Sequence, residues 1–190
     1  RFLAKREAAK STTEEGGVEI AVADEGTATR EPLPVSPLTD HVVLVGHGRV
    51  GSVVSAALRQ AGTPMLVIED NPGIIERLRE QGVEIISGNA AAPDMLQAAN
   101  VGAARGLLVA IPDAFEGGQI VAKARGISAT LPIIARAHSE EEIAHLKHHG
   151  ATSVIMGEQE IAKAMLAQIA GGVVAALAPK PVEDSAPSAA

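Results

Sequence analysis

The chain has 190 residues, a formal net charge of −7, 46% hydrophobic and 1% aromatic residues, and no cysteine. An acidic chain with two Phe and neither Trp nor Tyr offers no cationic face to a phosphate backbone and few rings on which bases could stack, which argues against nucleic acid as a partner. Without thiols, disulfide frameworks, thiolate metal sites and cysteine nucleophiles are excluded and the redox compartment stays open, while the longest apolar stretches fall well short of the roughly 18 residues a membrane-spanning helix requires.

The chain opens on Arg1 rather than Met, and no basic segment leads into an apolar run. No signal peptide is read, and the expectation is a piece of something longer. Residues 1–40 are rich in charge and turn formers, as in Ser11-Thr12-Thr13-Glu14-Glu15-Gly16-Gly17 and Arg30-Glu31-Pro32-Leu33-Pro34. They read as a flexible linker. Beyond Gly171-Gly172, a short apolar run from Val173 to Leu177 gives way to Pro179, Pro181 and Pro187 among Ala, Ser and acidic residues, and residues 171–190 read as a disordered tail. Between these ends, residues 41–170 form a core of about 130 residues, the size of one typical domain.

Within that core, short β-branched runs alternate with helical segments, the pattern of a parallel sheet covered on both faces. Strands are predicted at His41–Val45, Met65–Glu69, Val83–Ser87, Gly106–Ile111, Leu131–Ala135 and Ser153–Met156. Helices are predicted at Val50–Ala61, Pro72–Gln81, Pro93–Ala99, Ala114–Gly126, Ser139–His149 and Glu158–Ala170. Pro72 and Pro93 stand in first turns, Asp113 and Ser139 are N-caps, and Glu142 completes a capping box with Ser139. Gly62, Gly82 and Gly150 follow helices where a left-handed residue is favoured. The fold class is α/β: a Rossmann-like, doubly wound sheet of about six parallel strands in three layers, α/β/α. The last helix places Ile161, Met165, Leu166 and Ile169 on one face, against the sheet or against another subunit.

Val42-Val43-Leu44-Val45-Gly46-His47-Gly48-Arg49-Val50-Gly51 runs from a strand through G-x-G-x-x-G into a helix. The motif alone is weak, but it lies in the first βαβ unit and Glu69-Asp70 closes the second strand. Gly46 makes the turn, Gly48 lets backbone approach a phosphate, and Gly51 lets the helix lie close to the strand, whose N-terminal N–H groups then face the anion. His47 contributes through its backbone only. Glu69 is placed to accept from ribose hydroxyls, and its charge disfavours a 2′-phosphate, so NAD(H) or an adenine nucleotide (AMP, ATP) is expected over NADP. The alternative is a glycine turn serving only strand–helix packing. Arg49 either folds over bound phosphates or is a solvated first-turn residue.

The third strand ends in Ser87-Gly88-Asn89-Ala90, where Asn89 suits an adenine edge or a ribose and otherwise forms an Asx turn. Arg136 and His138 follow the fifth strand, at the carboxyl edge, where a second anionic group could be met. His145 and His149 have i, i+4 spacing, but no third ligand follows in register, and with His148 they read as a solvated face. Glu140-Glu141-Glu142 reads as a first-turn cluster favoured by the helix dipole.

Taken together, VLVGHGRVG (43–51), VIED (67–70), GNA before a proline and an acid (88–94), AIPD (110–113), IIARAH (133–138) and GATSVIMGEQEIA (150–162) resemble the TrkA-N or RCK (regulator of potassium conductance) nucleotide-binding domain. The GNA and ARAH variants are most similar to the Kef/YbaL-like cation:proton antiporter branch; many members of the wider family have Asp where this chain has Asn89. The resemblance covers residues 41 to about 170. It implies a regulatory domain on the cytoplasmic face of the bacterial inner membrane, joined through its linker to a multi-pass K+ transport domain of the same polypeptide and dimeric through its later helices, residues 158–170 included. The predicted nucleotide site is Gly46, His47, Gly48, Arg49, Val50, Gly51, Glu69, Asp70, Asn89, Ala90 and Arg136. No catalytic or metal-ligating residue is assigned. The rival reading is an NAD-dependent oxidoreductase with a minimal Rossmann domain, but after the sixth strand one helix and an Ala/Pro tail leave little chain to hold a substrate, and only His138 offers proton chemistry. A DNA-binding sensor lacks a helix-turn-helix segment and a basic face.

Overall fold

The computed structural model describes residues 33–170. The apolar runs form strands β1 (Val42–Val45), β2 (Met65–Glu69), β3 (Glu84–Ser87), β4 (Gly106–Val109), β5 (Ile133–Ala137) and β6 (Ser153–Met156). Between them lie helices α1 (Arg49–Gln60), α2 (Pro72–Glu80), α3 (Met95–Ala98), α4 (Ala114–Ile127) and α5 (Glu140–His148), and α6 (Gly157–Ala170) follows β6. All six strands are parallel, in the order β3-β2-β1-β4-β5-β6. This is the predicted doubly wound sheet.

Right-handed crossovers send α1 and α2 to one face and the later helices to the other, so the core divides in two. The larger cluster sets Val43, Val45, Leu66, Ile68, Leu107, Val109 and Ile133 against Leu96, Ile120, Val121 and Leu146. On the opposite face, Leu44, Val67 and Leu78 gather Val54, Ile74, Ile85 and Leu108. Every residue of β1 and β2 is buried because both faces are covered. In β5 the burial alternates: Ile133, Ala135 and Ala137 are inside while Ile134 is exposed.

The helix starts follow side-chain caps. Asn71 accepts from Gly73 and Ile74 N–H, and Asp113 accepts from Glu116 N–H. Ser139 accepts from Glu142 N–H, while the Glu142 carboxylate accepts at 2.6 Å from His138 N–H, one residue before the cap. Such caps each contribute about 1 kcal/mol.

Three elements differ from expectation by two residues or more, the first being β4, which ends at Val109 rather than Ile111. The helix predicted from Pro93 is a single turn, Met95–Ala98, followed by a 3-10 turn, Val101–Ala103, because Asp94 and Asn100 take left-handed backbone (φ 65° and 50°) and interrupt the helix on either side. Strand five starts at Ile133, two residues later than predicted: Pro132 has no N–H for a ladder, and only its carbonyl takes part, accepting from Leu107. The strand's end is set by pairing with β6, Arg136 opposite Ile155 and Ala137 opposite Met156, so Arg136 lies within the strand. Residues 33–40, read as the end of the linker, are held to the domain. Ser36 N–H donates to Ala98 O at 2.7 Å, its hydroxyl donates to Glu84 at 2.6 Å, and Asp40 N–H donates to Ala103 O at 2.9 Å. The linker reading for residues 1–32 and the tail reading for 171–190 lie outside the described residues. Among the described residues no helix is long and apolar enough to cross a membrane.

Candidate functional site

β1 sits mid-sheet, between β2 and β4. Its carboxyl end is the point where the winding reverses, and helices diverging to opposite faces leave a crevice there. The three glycines of the loop stand there for different reasons. Gly46 has φ +85°, and a Cβ on it would lie 2.7 Å from Ile111 Cγ2. A Cβ on Gly51 would lie 2.0 Å from the Gly46 carbonyl oxygen, a backbone atom that cannot move aside. The fold itself requires these two. Gly48 has φ −73°, and nothing lies within 4 Å of where its Cβ would stand. Its missing side chain leaves open space at the start of α1, whose first turn receives no side-chain cap and holds no acid. Free N–H groups beside open space suit an anion.

Glu69 fixes the loop from beneath. It is 8% exposed, and its Oε2 accepts from His47 N–H at 2.6 Å while Oε1 accepts from Asp70 and Asn71 N–H at 3.1 and 3.0 Å. Burial alone would raise its carboxyl, but the hydrogen bonds from Asn71, His47 and Asp70 outweigh burial and hold it below the ordinary carboxylate range. The carboxylate thus ties the glycine loop to the start of α2, with one acceptor position of Oε2 left for a further donor. The His47 imidazole is held below its usual value, first by burial and also by the charge of Arg77, against the pull of Glu69.

Two cavities flank the first turn of α1. One, of about 400 Å³, lies toward α2 and is lined by His47, Gly48, Arg49, Ser52, Arg77 and Gln81, with Ile74 and Leu78 at its base. The other, of about 250 Å³, lies over the sheet between Val50, Val54, Leu108, Ile134 and Ile155, with Arg136 at its polar end. Arg136 Nη2 lies 2.7 Å from His138 Nε2, and His138 Nδ1 lies 3.4 Å from Glu142 Oε2. With Arg136 donating to Nε2, the ring proton sits on Nδ1, toward Glu142.

Of the predicted residues, Gly46, His47, Gly48, Arg49, Val50 and Gly51 meet Glu69 and Asp70 around one loop, and Val50 shares the apolar cavity with Arg136. Asn89 adjoins them, since Gly88 N–H donates to Glu69 O at 2.8 Å. Its Oδ1 accepts from Ala91 N–H at 2.6 Å in an Asx turn, which leaves its amide NH2 and one further acceptor position of Oδ1 for a ligand. The Ala90 side chain is buried in the larger core. Arg77 was not singled out from the sequence; the available signal was its place in the row Ile74, Arg77, Leu78, Gln81, which one face of α2 presents together. His145 and His149 stand with ring centroids 4.3 Å apart, and among the described residues no group of three or more His, Asp or Glu is arranged to hold a metal.

The TrkA-N domain family model matches residues 42–157. YbaL of Escherichia coli K12, which carries the name of a cation/proton antiporter, is 40% identical over 166 residues, covering 87% of this chain and 28% of YbaL. KefC of Salmonella paratyphi B, a glutathione-regulated potassium-efflux system protein, is 31% identical over 139 residues, covering 72% of this chain and 22% of KefC. The chain thus spans about a quarter of the length of these relatives. Among solved structures, the TrkA-N domain of Escherichia coli YbaL superposes with a TM-score of 0.68 at 41% identity, covering 70% of this chain and 99% of that one. The Shewanella denitrificans Kef C-terminal domain in its AMP-bound form gives 0.60 at 25% identity, covering 74% and 82%.

Proposed function

The chain belongs to the TrkA-N domain family, and from that premise we propose that it is the cytoplasmic regulatory domain of a bacterial inner-membrane antiporter exchanging K+ or another monovalent cation for protons, controlled by NAD(H) or an adenine nucleotide. The observation that carries this reading is the division of labour among the loop glycines. Gly46 and Gly51 serve the fold, whereas a Cβ on Gly48 would meet nothing, and its absence opens the uncapped start of α1. A phosphate seated there would accept from first-turn N–H groups, with Arg49 closing over it and Glu69 beneath, its remaining acceptor position toward a ribose hydroxyl. The AMP-bound state of the Kef domain, 25% identical, supports a nucleotide ligand in this branch.

Regulation would act by linkage: a ligand that binds one domain arrangement better than another biases the transport domain by its difference in affinity, typically about 1–3 kcal/mol. Two such domains would pair through their later elements. Ile161, Met165, Leu166 and Ile169 of α6 and the bare Ile134 and Ile155 of the sheet are all exposed in a single chain, a patch that supports burial against a second copy.

Calorimetry of the chain with AMP, ATP, NAD+ and NADH tests the reading. Binding of at least one of them, abolished by Gly48→Asp, is expected. Absence of binding by all four, or binding unaffected by Gly48→Asp, would overturn the site. Turnover of a nicotinamide cofactor with a small alcohol or acid would restore the oxidoreductase reading in its place.

A further inference from the structure

Among the described residues, the non-glycine positions with left-handed backbone are Asp40 (φ 50°), Asp94 (φ 65°) and Asn100 (φ 50°), and all three belong to one feature. Residues 33–41, which lead into β1, form a strap at the amino edge of the sheet and are pinned at alternate positions. Ser36 N–H donates to Ala98 O at 2.7 Å and its hydroxyl to Glu84 Oε1 at 2.6 Å. Leu38 O accepts from Asn100 Nδ2 at 2.9 Å, and Asp40 N–H donates to Ala103 O at 2.9 Å while its carboxylate accepts from Arg105 Nε and Nη2 at 3.0 and 2.6 Å. His41, at 0% exposure, ends the row by donating from Nε2 to Ala99 O at 3.0 Å. Ala98, Ala99, Asn100 and Ala103 thus all hold the strap. The same stretch of chain reaches the ligand crevice at its other end. Gly88 N–H donates to Glu69 O at 2.8 Å, Ala92 N–H donates to Asn89 O at 2.9 Å, and Met95 Cε stands 3.2 Å from where a Cβ on Gly88 would lie. Between the two ends, Met95–Ala99 is one buried turn with a left-handed residue on either side of it. A close-packed piece that short shifts as a unit rather than bending, and residues held in sparsely populated backbone regions gather at switch segments.

We propose that Met95–Ala103 is a coupling element that ties ligand occupancy beside Asn89 to the fastening of the strap, so that the nucleotide sets how firmly the chain before β1 is held to the domain. The inference rests on the nucleotide reading above and adds the route by which the ligand is felt outside its site. A ligand engaging the Asn89 amide steadies the Gly88 turn and Met95 packed upon it, and through Ala98 and Ala99 it steadies the bonds to Ser36 and His41. A fastened strap holds the preceding chain, where the proposed transport domain would lie, against the amino edge of the sheet, and a released strap frees it. Linkage makes the effect reciprocal: the factor by which the ligand favours the fastened strap is the factor by which the fastened strap raises ligand affinity.

Two measurements on the whole chain, with whichever of AMP, ATP, NAD+ and NADH binds, test this reciprocity. In amide hydrogen exchange followed by NMR, saturating ligand should slow Ser36 and Asp40 at least roughly fivefold more than Thr152, the lower end of typical couplings. Thr152 N–H donates to Ile133 O at 2.8 Å on the far side of the sheet, so it registers the general protection that any ligand confers. In calorimetry, the double variant Ser36→Ala with Asn100→Asp removes the bonds to Glu84 and to Leu38 O without touching the crevice, and should bind at least roughly fivefold more weakly. Thr152→Val, which deletes side-chain bonds to Ile133 and Arg125, should bind as the wild type does. Unchanged affinity in the double variant, an equal loss in Thr152→Val, or Ser36 and Asp40 protected no more than Thr152 would overturn the coupling while leaving the nucleotide site intact. The exchange measurement needs no variant, so it decides even where the double variant does not fold. Failure of the wild type to bind any of the four ligands would overturn the nucleotide reading and this inference with it.

Discussion

The two halves of the sheet are built from similar apolar strands and end in different states. In β1 and β2 every residue is buried, with α1 and α2 on one face and the larger core on the other. In β5 and β6 one face lies under α4 and α5 while the other leaves Ile134 40% and Ile155 43% exposed. The difference is topological. Crossovers of one hand send both early helices to the same face, and once the chain returns beyond β1 the later crossovers can cover only the opposite one. The closed half carries the tight glycine turn, and the open half leaves apolar surface uncovered.

The largest expected effect breaks the closed half at its tightest contact. Gly51→Ala sets a methyl group 2.0 Å from the Gly46 carbonyl oxygen, forcing α1 off β1, and should cost about 3 kcal/mol or more in denaturant unfolding. Gly48→Ala, with nothing within 4 Å, should cost at most about 1 kcal/mol as a weaker N-cap. A similar loss in both would mean that the loop glycines are all structural. A smaller contrast compares the halves directly. Leu44→Ala, at 0% exposure, should destabilise by about 3 kcal/mol, and Ile134→Ala in the open half by about 1 kcal/mol or less.

Glu69→Gln tests how the closed half holds its loop. Loss of a buried carboxylate that accepts three backbone N–H bonds should cost about 2 kcal/mol. The sign of the pH dependence follows from its lowered carboxyl. The folded state binds this proton less readily than the unfolded chain, so the increment is present in full above the ordinary glutamate range, near about 4.3, and is lost as the pH falls toward the folded value. Chemical unfolding followed from neutral to acid pH should show the wild type losing its advantage over Glu69→Gln in that window. A difference between the two proteins that stays constant across it would assign the carboxylate no such role.

The closed half was also the more legible in the sequence, for a physical reason. Strand, glycines, helix and strand-end acid are local in the chain, so their spacing reports their geometry. What escaped was set by backbone exceptions or by approach in space. Asp94 and Asn100 shorten the third helix through left-handed conformations that their residue types permit but do not demand. Pro132 delays the start of β5, and pairing with Ile155 of β6 holds Arg136 in the strand. Asn89 commits one acceptor position of its side-chain oxygen to its own turn. The triple bond set of Glu69 and the cavity that Arg77 and Arg49 both line depend on how α2 lies against α1, which periodicity on either helix alone does not encode.

The smallest expected effect on the single chain is the one that tests the open half. Ile155→Lys puts a charge on a side chain that is already 43% exposed, so the monomer should lose no more than about 0.5 kcal/mol. In a dimer the same position would be desolvated, and an unpaired ammonium buried against Ile, Met and Leu side chains is costly enough to separate the copies. Sedimentation equilibrium on wild type and variant distinguishes the two situations. A wild-type dimer that the variant reduces to a monomer of nearly equal stability would mean that the uncovered face is completed by a second copy. A variant that remains dimeric would mean that pairing, if it uses α6, does not use the sheet, and the bare face of β5 and β6 would need another explanation.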